Sequence, residues 1–515
     1  MSEPSTFRVD APSAPEPSSK RRRWLDRSSI RRLRHDAIQP RRFHEPWDER
    51  ENERTRLPAT EQVHLAGLTL VDVFTPSTVS HLYETLKDLP TLRPARRQEW
   101  LDAVAHSRGT LVGGHISLGI TRPPGPSFGM EGFVDPGLPN GVEAVALGIE
   151  FVAPSITAIV ANFTISEAAG DLSPLLRADY QTERGSPDIS VHGQLGGLRA
   201  RVPWSRPKQY QLSQNVHGVE ELKRSACQRT IDEFETRCCD WLAERFRGRF
   251  TTESLDRRPT LIHLLTVEQR PFEDRPIPLE PLELDFAPVV WRSAESLGWA
   301  LTFPETRRNS MWSPRNRITA SARRSDLPAR VPGAGVDPLS NWDAIAEFDD
   351  CHERLVAVWG VSCLLSLYAT ELAILRDQAG APRRFSRPVR QAREFDLYLL
   401  ADGLDASALT ADVLALTEDL ERFRWRMPEY TEDLDVLPEQ VAAQREPDEL
   451  VPALREHLRG QCTRLSEDTR TTTENLRASA QLRQAIANTR LQRTLLLLSG
   501  LATTIAIVTL LASKV

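Results

Sequence analysis

Lysine is scarce in this sequence of 515 residues. Only five of the 65 basic residues are lysine, namely Lys20, Lys87, Lys208, Lys223 and Lys514. A P-loop needs a Gly-Lys-Ser/Thr string, because the lysine and the neighbouring backbone amides bind the nucleotide phosphates. None of the five lysines follows a glycine. The sequence therefore excludes a Walker A nucleotide site.

Cysteine is also sparse, and no secretion signal is visible. The six cysteines have neither Cys-x-x-Cys spacing nor the density of a disulfide-stabilised domain; they are Cys227, Cys238, Cys239, Cys351, Cys363 and Cys462. The N-terminal region lacks the apolar segment that a cleaved secretory signal requires. We expect reduced thiols and a main domain that stays in the cytoplasm.

Motifs for catalysis are missing or weak. Neither a Gly-x-Gly-x-x-Gly fingerprint nor a Gly-x-Ser-x-Gly elbow occurs. Ser205 and Lys208 have the spacing of a Ser-Lys dyad, but the prolines around them favour a surface loop. The His352-Glu353 pair would begin a zinc-binding HExxH helix only if position 356 were histidine, and Val356 occupies it.

Other polar clusters have structural explanations. An acidic group near the start of a predicted helix (Glu347, Asp350 and Glu353, with His352) is typical of helix N-termini, where negative charge is stabilised. Cys238 and Cys239 point about 100° apart on a helix, which is unsuited to shared metal binding. His115 and His192 are isolated, so we expect them to be structural or solvent-facing. The sequence therefore predicts no catalytic, cofactor-binding or metal-binding residue, and an enzyme is the less expected class.

Charge is distributed unevenly along the chain. Residues 1–19 are rich in Pro, Ser and Glu, and are predicted to be disordered. The basic segment, residues 20–60, begins with ten Arg or Lys within residues 20–42, against two aspartates. We expect residues 20–42 to bind anionic phospholipid, since no aromatic platform for nucleic acid accompanies them. Residues 428–449 are acidic and predicted to be a solvated loop.

The middle of the chain predicts a mixed α/β or α+β globular domain over residues 61–306. It has strand-like runs rich in Val, Ile and Phe, two of them joined across Pro154-Ser155 as in a hairpin, and several helical segments. Residues 307–340, rich in Arg and Pro, are interpreted as a connector at a domain boundary. Residues 341–427 then predict a helical region.

Residues 494–513 form the strongest pattern in the sequence, because they are twenty residues without a charge. At about 1.5 Å per residue this length spans roughly 30 Å, the hydrocarbon thickness of a bilayer. Arginines precede the run and only Lys514 follows it, so the positive-inside rule places the N-terminal domain in the cytoplasm. We expect a single-pass, tail-anchored protein of the cell membrane. The shorter apolar run at 355–370 is interpreted as a core helix, with a second span as the alternative.

The stalk, residues 450–493, precedes the span and has a 4-3 alternation typical of a coiled-coil seam; its positions are Leu458, Cys462, Leu465, Thr469, Thr472, Leu476, Ser479 and Arg483. Half of these positions are polar. Either a weak homo-oligomer or packing against the helices of the same chain fits the pattern.

The order of parts resembles the CorA-type cation channels, in which an α/β cytoplasmic domain is followed by helices and a stalk helix that enters the membrane. The stalk and span, ENLRASAQLRQAIANTRLQRTLLLLSG, carry the resemblance. The family's Gly-Met-Asn signature and second span are not found after this helix, and Phe128-Gly129-Met130-Glu131 is the nearest string. We expect a membrane-tethered interaction or sensing protein, with an oligomeric membrane effector or CorA-like pore as the alternative.

Overall fold

The computed structural model describes residues 41–42, 45–89, 94–109, 113–121, 137–184, 188–192, 209–213, 216–252, 260–268, 290–293, 298–302, 317–327, 341–380, 402–434 and 446–512. The chain divides into two compact units. The smaller comprises Met1–Asn52 with Asp179–Leu222, and the larger comprises Glu53–Ala178 with Lys223–Val515.

The smaller unit contains two antiparallel sheets. One has the order β1 (Arg41–Arg42), β6 (Glu183–Arg184), β9 (Val216–His217), and the other pairs β7 (Asp188–His192) with β8 (Gln209–Ser213). Helix α1 (Asp48–Arg54) begins in this unit, and Asp48 accepts hydrogen bonds from the backbone amide and hydroxyl of Thr182. The start of α1 is thereby fixed to the segment before β6.

The larger unit is built on a nine-stranded sheet. Its strands are β2 (Val63–Phe74), β3 (Gly114–Thr121), β4 (Val142–Ala153), β5 (Ile156–Ile165), β10 (Thr260–Val267), β11 (Val290–Ser293), β12 (Trp299–Thr302), β13 (Arg317–Arg323) and β14 (Tyr430–Glu432). They lie in the order β14-β11-β12-β13-β10-β2-β5-β4-β3. β10 and β13 are parallel, and the other neighbours are antiparallel. The predicted hairpin across Pro154-Ser155 is confirmed as β4 and β5.

Helices cover both faces of this sheet. One core contains Val71 and Val73 of β2 with α8 (Asn341–Gly380), α9 (Asp402–Glu418) and the first part of α11 (Leu450–Ala512). The other contains Leu68 and Leu70 of β2 with α2 (Val79–Asp88), α3 (Pro94–Gly109) and α6 (Val219–Arg245). The short helices are α4 (Glu167–Gly170), α5 (Ser173–Arg177), α7 (Arg249–Thr252) and α10 (Leu420–Arg424). Because both faces are covered, β2 is buried along its whole length. The larger unit, a mostly antiparallel sheet with helices on both faces, has a mixed α+β fold, as the sequence predicts.

Helix α8, here called the core helix, approaches the sheet closely at two glycines. A Cβ on Gly360 would lie 2.8 Å from Cγ1 of Val71, and one on Gly67 of β2 would overlap with Cδ1 of Ile345 in the core helix. Real Cβ atoms do not tolerate such distances. Because glycine has no side chain, the helix and the strands can pack at short range at these two positions.

Two strands lie in segments that the sequence pattern interprets as irregular. β13 falls inside the predicted connector, residues 307–340, and it pairs with β10 on one side and β12 on the other. β14 falls inside the predicted acidic loop, residues 428–449, and pairs with β11 at the edge of the sheet. The sheet therefore includes chain segments that lie beyond the predicted domain of residues 61–306.

One described helix, Asn341–Ile374, is long and apolar enough to cross a bilayer by length and composition. Of its most apolar window, 78% is buried, and it packs against the sheet. In the structure this segment is a core helix. At the C-terminal end of α11, the described residues Leu491–Ile507 form a shorter apolar stretch.

Candidate functional site

A cluster of buried charges lies where the core helix crosses the edge of the sheet at β3 and β4. Glu150 interrupts the apolar run of β4, and the antiparallel register places His115 of β3 directly opposite it. The core helix adds Glu353 and Arg354 from the adjacent layer. Three elements distant in sequence thus meet at one point, here called the His-Glu cluster (His115, Glu150, Glu353, Arg354 and Arg426).

Arg354 holds one oxygen of Glu150. Its Nη1 lies 3.1 Å from Glu150 Oε1 and also donates to the carbonyl oxygen of Phe151 at 3.1 Å, while Nη2 donates to that of Val152 at 3.4 Å. The side chains of Arg354 and Glu150 are 1% and 0% exposed. Because removal of either partner would leave a buried charge unpaired, this pair is expected to be indispensable for folding.

His115 lies between the two carboxylates. Its Nδ1 is 2.8 Å from Glu353 Oε2 and 3.6 Å from Glu150 Oε2. Within the described part of the chain, neither His115 Nδ1 nor Glu150 Oε2 has a partner with hydrogen-bond geometry, so these are charge contacts. A Cβ on Gly148 would come within 2.7 Å of His115 Cε1, and the glycine therefore makes room for the imidazole.

Arg426 reaches the cluster from the turn after α10. Its Nη2 donates to Glu353 Oε2 at 3.2 Å. The backbone φ of Arg426 is 59°, a left-handed conformation that is unusual for a residue with a side chain. The strained turn is thus coupled to the contact with Glu353, a combination found often at functional positions.

Electrostatics favour a charged imidazole in this cluster. Burial opposes protonation of His115, but Glu150 and Glu353 outweigh burial and raise its pKa to about 9. Burial lowers the pKa of Arg354, although Glu150 opposes that shift. With His115 protonated, three positive groups surround two carboxylates, and the cluster holds a proton at neutral pH.

The donor atoms of the cluster are also those that bind metal ions in proteins. One nitrogen of His115 and one oxygen each from Glu150 and Glu353 lie within 4.8 Å of one another. Imidazole nitrogen with carboxylate oxygen is a donor set found in zinc and other transition-metal sites.

The structure corrects the interpretation of His115 as an isolated histidine, because the fold pairs it with two carboxylates. The acidic group of Glu347, Asp350 and Glu353 does not lie in the first turn of its helix, since the core helix already begins at Asn341. His352 and Glu353 are buried instead.

Other candidates from the sequence remain uninvolved or undescribed. Ser205 and Lys208 lie outside the described residues, and of His192 the structure describes only the backbone at the end of β7. Cys238 and Cys239 are buried in α6. One sequence signal for the cluster is the lone carboxylate of Glu150 inside the apolar run of β4.

A second unusual surface is the C-terminal part of α11. Large apolar side chains there are 56% to 75% exposed: Leu491, Leu495, Leu496, Leu497, Leu498, Leu501, Ile505 and Ile507. Two hydroxyls within this stretch donate to the helix itself: Thr503 to the carbonyl oxygen of Ser499, and Thr504 to that of Gly500. An exposed apolar surface of this extent marks an interaction site.

Comparison of the chain with protein families, with curated proteins and with solved structures finds no match. The functional conclusion therefore depends on the physical features of these two sites.

Proposed function

We propose that the chain is a membrane-tethered interaction or sensing protein, anchored by the C-terminal part of α11 and with its sheet domain in the cytoplasm. The observation that carries the proposal is the exposed apolar surface of Leu491–Ile507. Four consecutive leucines, at positions 495 to 498, point in directions about 100° apart and so surround the helix. A helix packed on a protein, or lying flat on a bilayer, keeps one polar face.

Hydrogen bonding within the helix supports the same conclusion. Thr503, Thr504 and Thr509 each donate to the carbonyl oxygen four residues earlier. Polar groups in hydrocarbon are costly unless they are hydrogen-bonded, and these hydroxyls meet that requirement inside the segment. These three threonines are therefore compatible with a bilayer.

Flanking charge supports the orientation. Arg477, Arg483, Arg490 and Arg493 precede the apolar run, and Lys514 follows it. Because arginine and lysine near a span are retained on the cytoplasmic side, the sheet domain is assigned to the cytoplasm. Residues 20–42 are proposed as a second, electrostatic contact with anionic lipid, which at about 1 kcal/mol per basic residue near the surface supplements the anchor.

Membrane fractionation of the full chain tests the anchor. The double substitution Leu501→Arg and Ile505→Arg should move the protein into the soluble fraction after a high-salt wash, since each arginine near the centre of a span costs about 2.5 to 3.5 kcal/mol. The matched control, Leu501→Ala with Ile505→Ala, should remain in the membrane. Deletion of residues 494–515 should likewise release a soluble protein.

Retention of the deleted chain in washed membranes would overturn this proposal and direct attention to Asn341–Ile374 as a span. The basic segment is tested separately with the peptide of residues 20–42. It should bind anionic vesicles in a salt-sensitive manner and leave neutral vesicles unbound; equal binding to both would disprove the lipid contact.

A further inference from the structure

We propose that His115, Glu150 and Glu353 form a binding site for a divalent first-row transition metal ion, for which Zn²⁺ is the best-fitting probe. The inference is independent of the membrane anchor, because all three residues belong to the sheet and the core helix. It rests on donor spacing, on an unsatisfied buried oxygen, and on the groups that hold the carboxylates.

The donor spacing matches a small coordination sphere. Zinc lies about 2.0 to 2.2 Å from nitrogen and oxygen ligands, so neighbouring donors of a tetrahedral site are roughly 3.4 Å apart. His115 Nδ1 lies 2.8 Å from Glu353 Oε2 and 3.6 Å from Glu150 Oε2. An ion can therefore be reached by all three groups with small side-chain movements.

Glu150 supplies the independent evidence, because one of its carboxylate oxygens lacks a hydrogen-bond partner in the described part of the chain. Its side chain is fully buried, and among the described residues Oε2 has no hydrogen-bond partner. Buried carboxylate oxygens are nearly always satisfied, because an unsatisfied one loses its hydration without compensation. Oε2 faces His115, and a cation between the two would satisfy it.

The surrounding arginines act as the outer groups of such a site. Arg354 occupies Oε1 of Glu150 and leaves Oε2 available, while Arg426 contacts Glu353. Hydrogen bonds of this kind orient ligating carboxylates in known metal sites. The side chains of His115 and Glu353 are 15% and 9% exposed, so solvent reaches one side of the cluster and a water molecule can complete the coordination.

A metal ion and the proton of His115 compete for the same position. Neutral imidazole is the form that ligates, and binding therefore releases a proton. The charged groups around His115 are Glu150 from β4, Glu353 and Arg354 from the core helix, and Arg426 from the turn after α10, with Arg422 acting on Arg354.

Calorimetric titration of the metal-free, full-length protein with Zn²⁺ tests the proposal. We expect one ion per chain, and the substitutions His115→Ala and Glu353→Gln should each weaken binding more than about 100-fold, beyond the usual cost of changing an outer-shell residue. Both variants keep the buried Glu150 and Arg354 pair. The control is His81→Ala, since the exposed His81 pairs with Glu84 at 3.6 Å and offers the same donor types on the surface.

Circular dichroism should first show that each variant is folded. Zn²⁺ should then raise the melting temperature of the wild type and of His81→Ala, but not of His115→Ala. The proposal fails if the wild type binds no Zn²⁺ at pH 8, or if His115→Ala binds it as tightly as the wild type. Equal loss in His81→Ala and His115→Ala would identify nonspecific surface binding and would also overturn it.

Discussion

The hydroxyl of Tyr430 donates a 2.6 Å hydrogen bond to Nε2 of His352. Nδ1 of the same ring lies 2.8 Å from the carbonyl oxygen of Phe348, so it carries the proton and donates. The two contacts fix one tautomer of a neutral imidazole, and burial lowers the pKa of His352 to about 4, although the contact with Phe348 opposes that shift. This pair joins edge strand β14 to the core helix.

The substitution Tyr430→Phe should destabilise the protein by about 1 to 3 kcal/mol, because a buried acceptor on His352 loses its donor. Urea denaturation followed by circular dichroism measures the change. Tyr83→Phe is the matched control, since its hydroxyl makes no hydrogen bond to a described residue, and it should have little effect. Equal stability of Tyr430→Phe and the wild type would contradict this account of the pair.

Acid should destabilise the protein through His352. The unfolded state takes up a proton near the ordinary pKa of 6.5, whereas the folded state does so only near 4. Stability is thus fully present above pH 6.5 and falls as the pH decreases towards 4, by at most about 3 kcal/mol from this group. Unfolding curves at pH 7 and pH 4.5 should differ less in His352→Gln than in the wild type; an unchanged difference would assign acid sensitivity to other groups.

Alkali should destabilise the protein through His115, with the opposite sign. Its pKa is raised to about 9 in the folded state, against an ordinary value of 6.5. The stabilisation is fully present below pH 6.5 and is lost as the pH rises through 9. Melting temperatures in the presence of a chelator should decrease between pH 7 and pH 9 in the wild type, and less so in His115→Ala. Parallel curves for the two proteins would exclude this contribution.

Replacement by alanine should change the stability in opposite directions at two glycines in long helices. Gly360→Ala places a methyl group 2.8 Å from Val71 and should destabilise the protein by about 1 to 3 kcal/mol, less the gain in helix propensity. Gly460→Ala meets only Arg464 Nη2, at 3.8 Å, and should stabilise by about 0.5 to 1 kcal/mol. Thermal unfolding of the two variants measures the sign of each change in stability. A stabilised Gly360→Ala would show that the core helix can move away from the sheet.

The apolar positions of the stalk's 4-3 pattern should stabilise the fold of each chain by packing on its own core. Leu458, Cys462 and Leu465 are buried in the core that contains α8 and α9. Leu465→Ala should therefore cost about 2 to 5 kcal/mol, and the loss should be independent of protein concentration. Glu467→Ala, an exposed position two residues later, is the control. A melting temperature that rises with concentration, or a dimer cross-linked through this seam, would favour the self-association that the 4-3 pattern also allows.

Strong local patterns predicted much of the fold. The hairpin of β4 and β5 and the core helix have long apolar runs, and each lies close to its predicted position. β13 was missed for a physical reason. Its buried residues Ile318, Ala320 and Ala322 include two small side chains between arginines, so their hydrophobic signal is weak. Pairing with β10 and β12 stabilises this segment in the sheet, and the local sequence of β13 carries no information about that pairing.

The His-Glu cluster could not be predicted from spacing. His115, Glu150 and Glu353 are far apart in the chain, and only the register of β3 with β4 and the crossing of the core helix bring them together. A partial signal existed, because Glu150 interrupts an apolar run. One such residue indicates that a partner exists but does not identify it.

Helix α11 is continuous from the residues buried in the core to the exposed leucines. Roughly 29 residues separate Leu465 from Thr494, which at about 1.5 Å each give a distance of about 43 Å. If the leucines enter a bilayer, this length sets how far above the lipid the sheet domain can stand, and hence the height of any soluble protein that fits beneath it. A deletion of seven residues, about two turns, would shorten that gap by about 10 Å while nearly preserving the rotational phase of the helix.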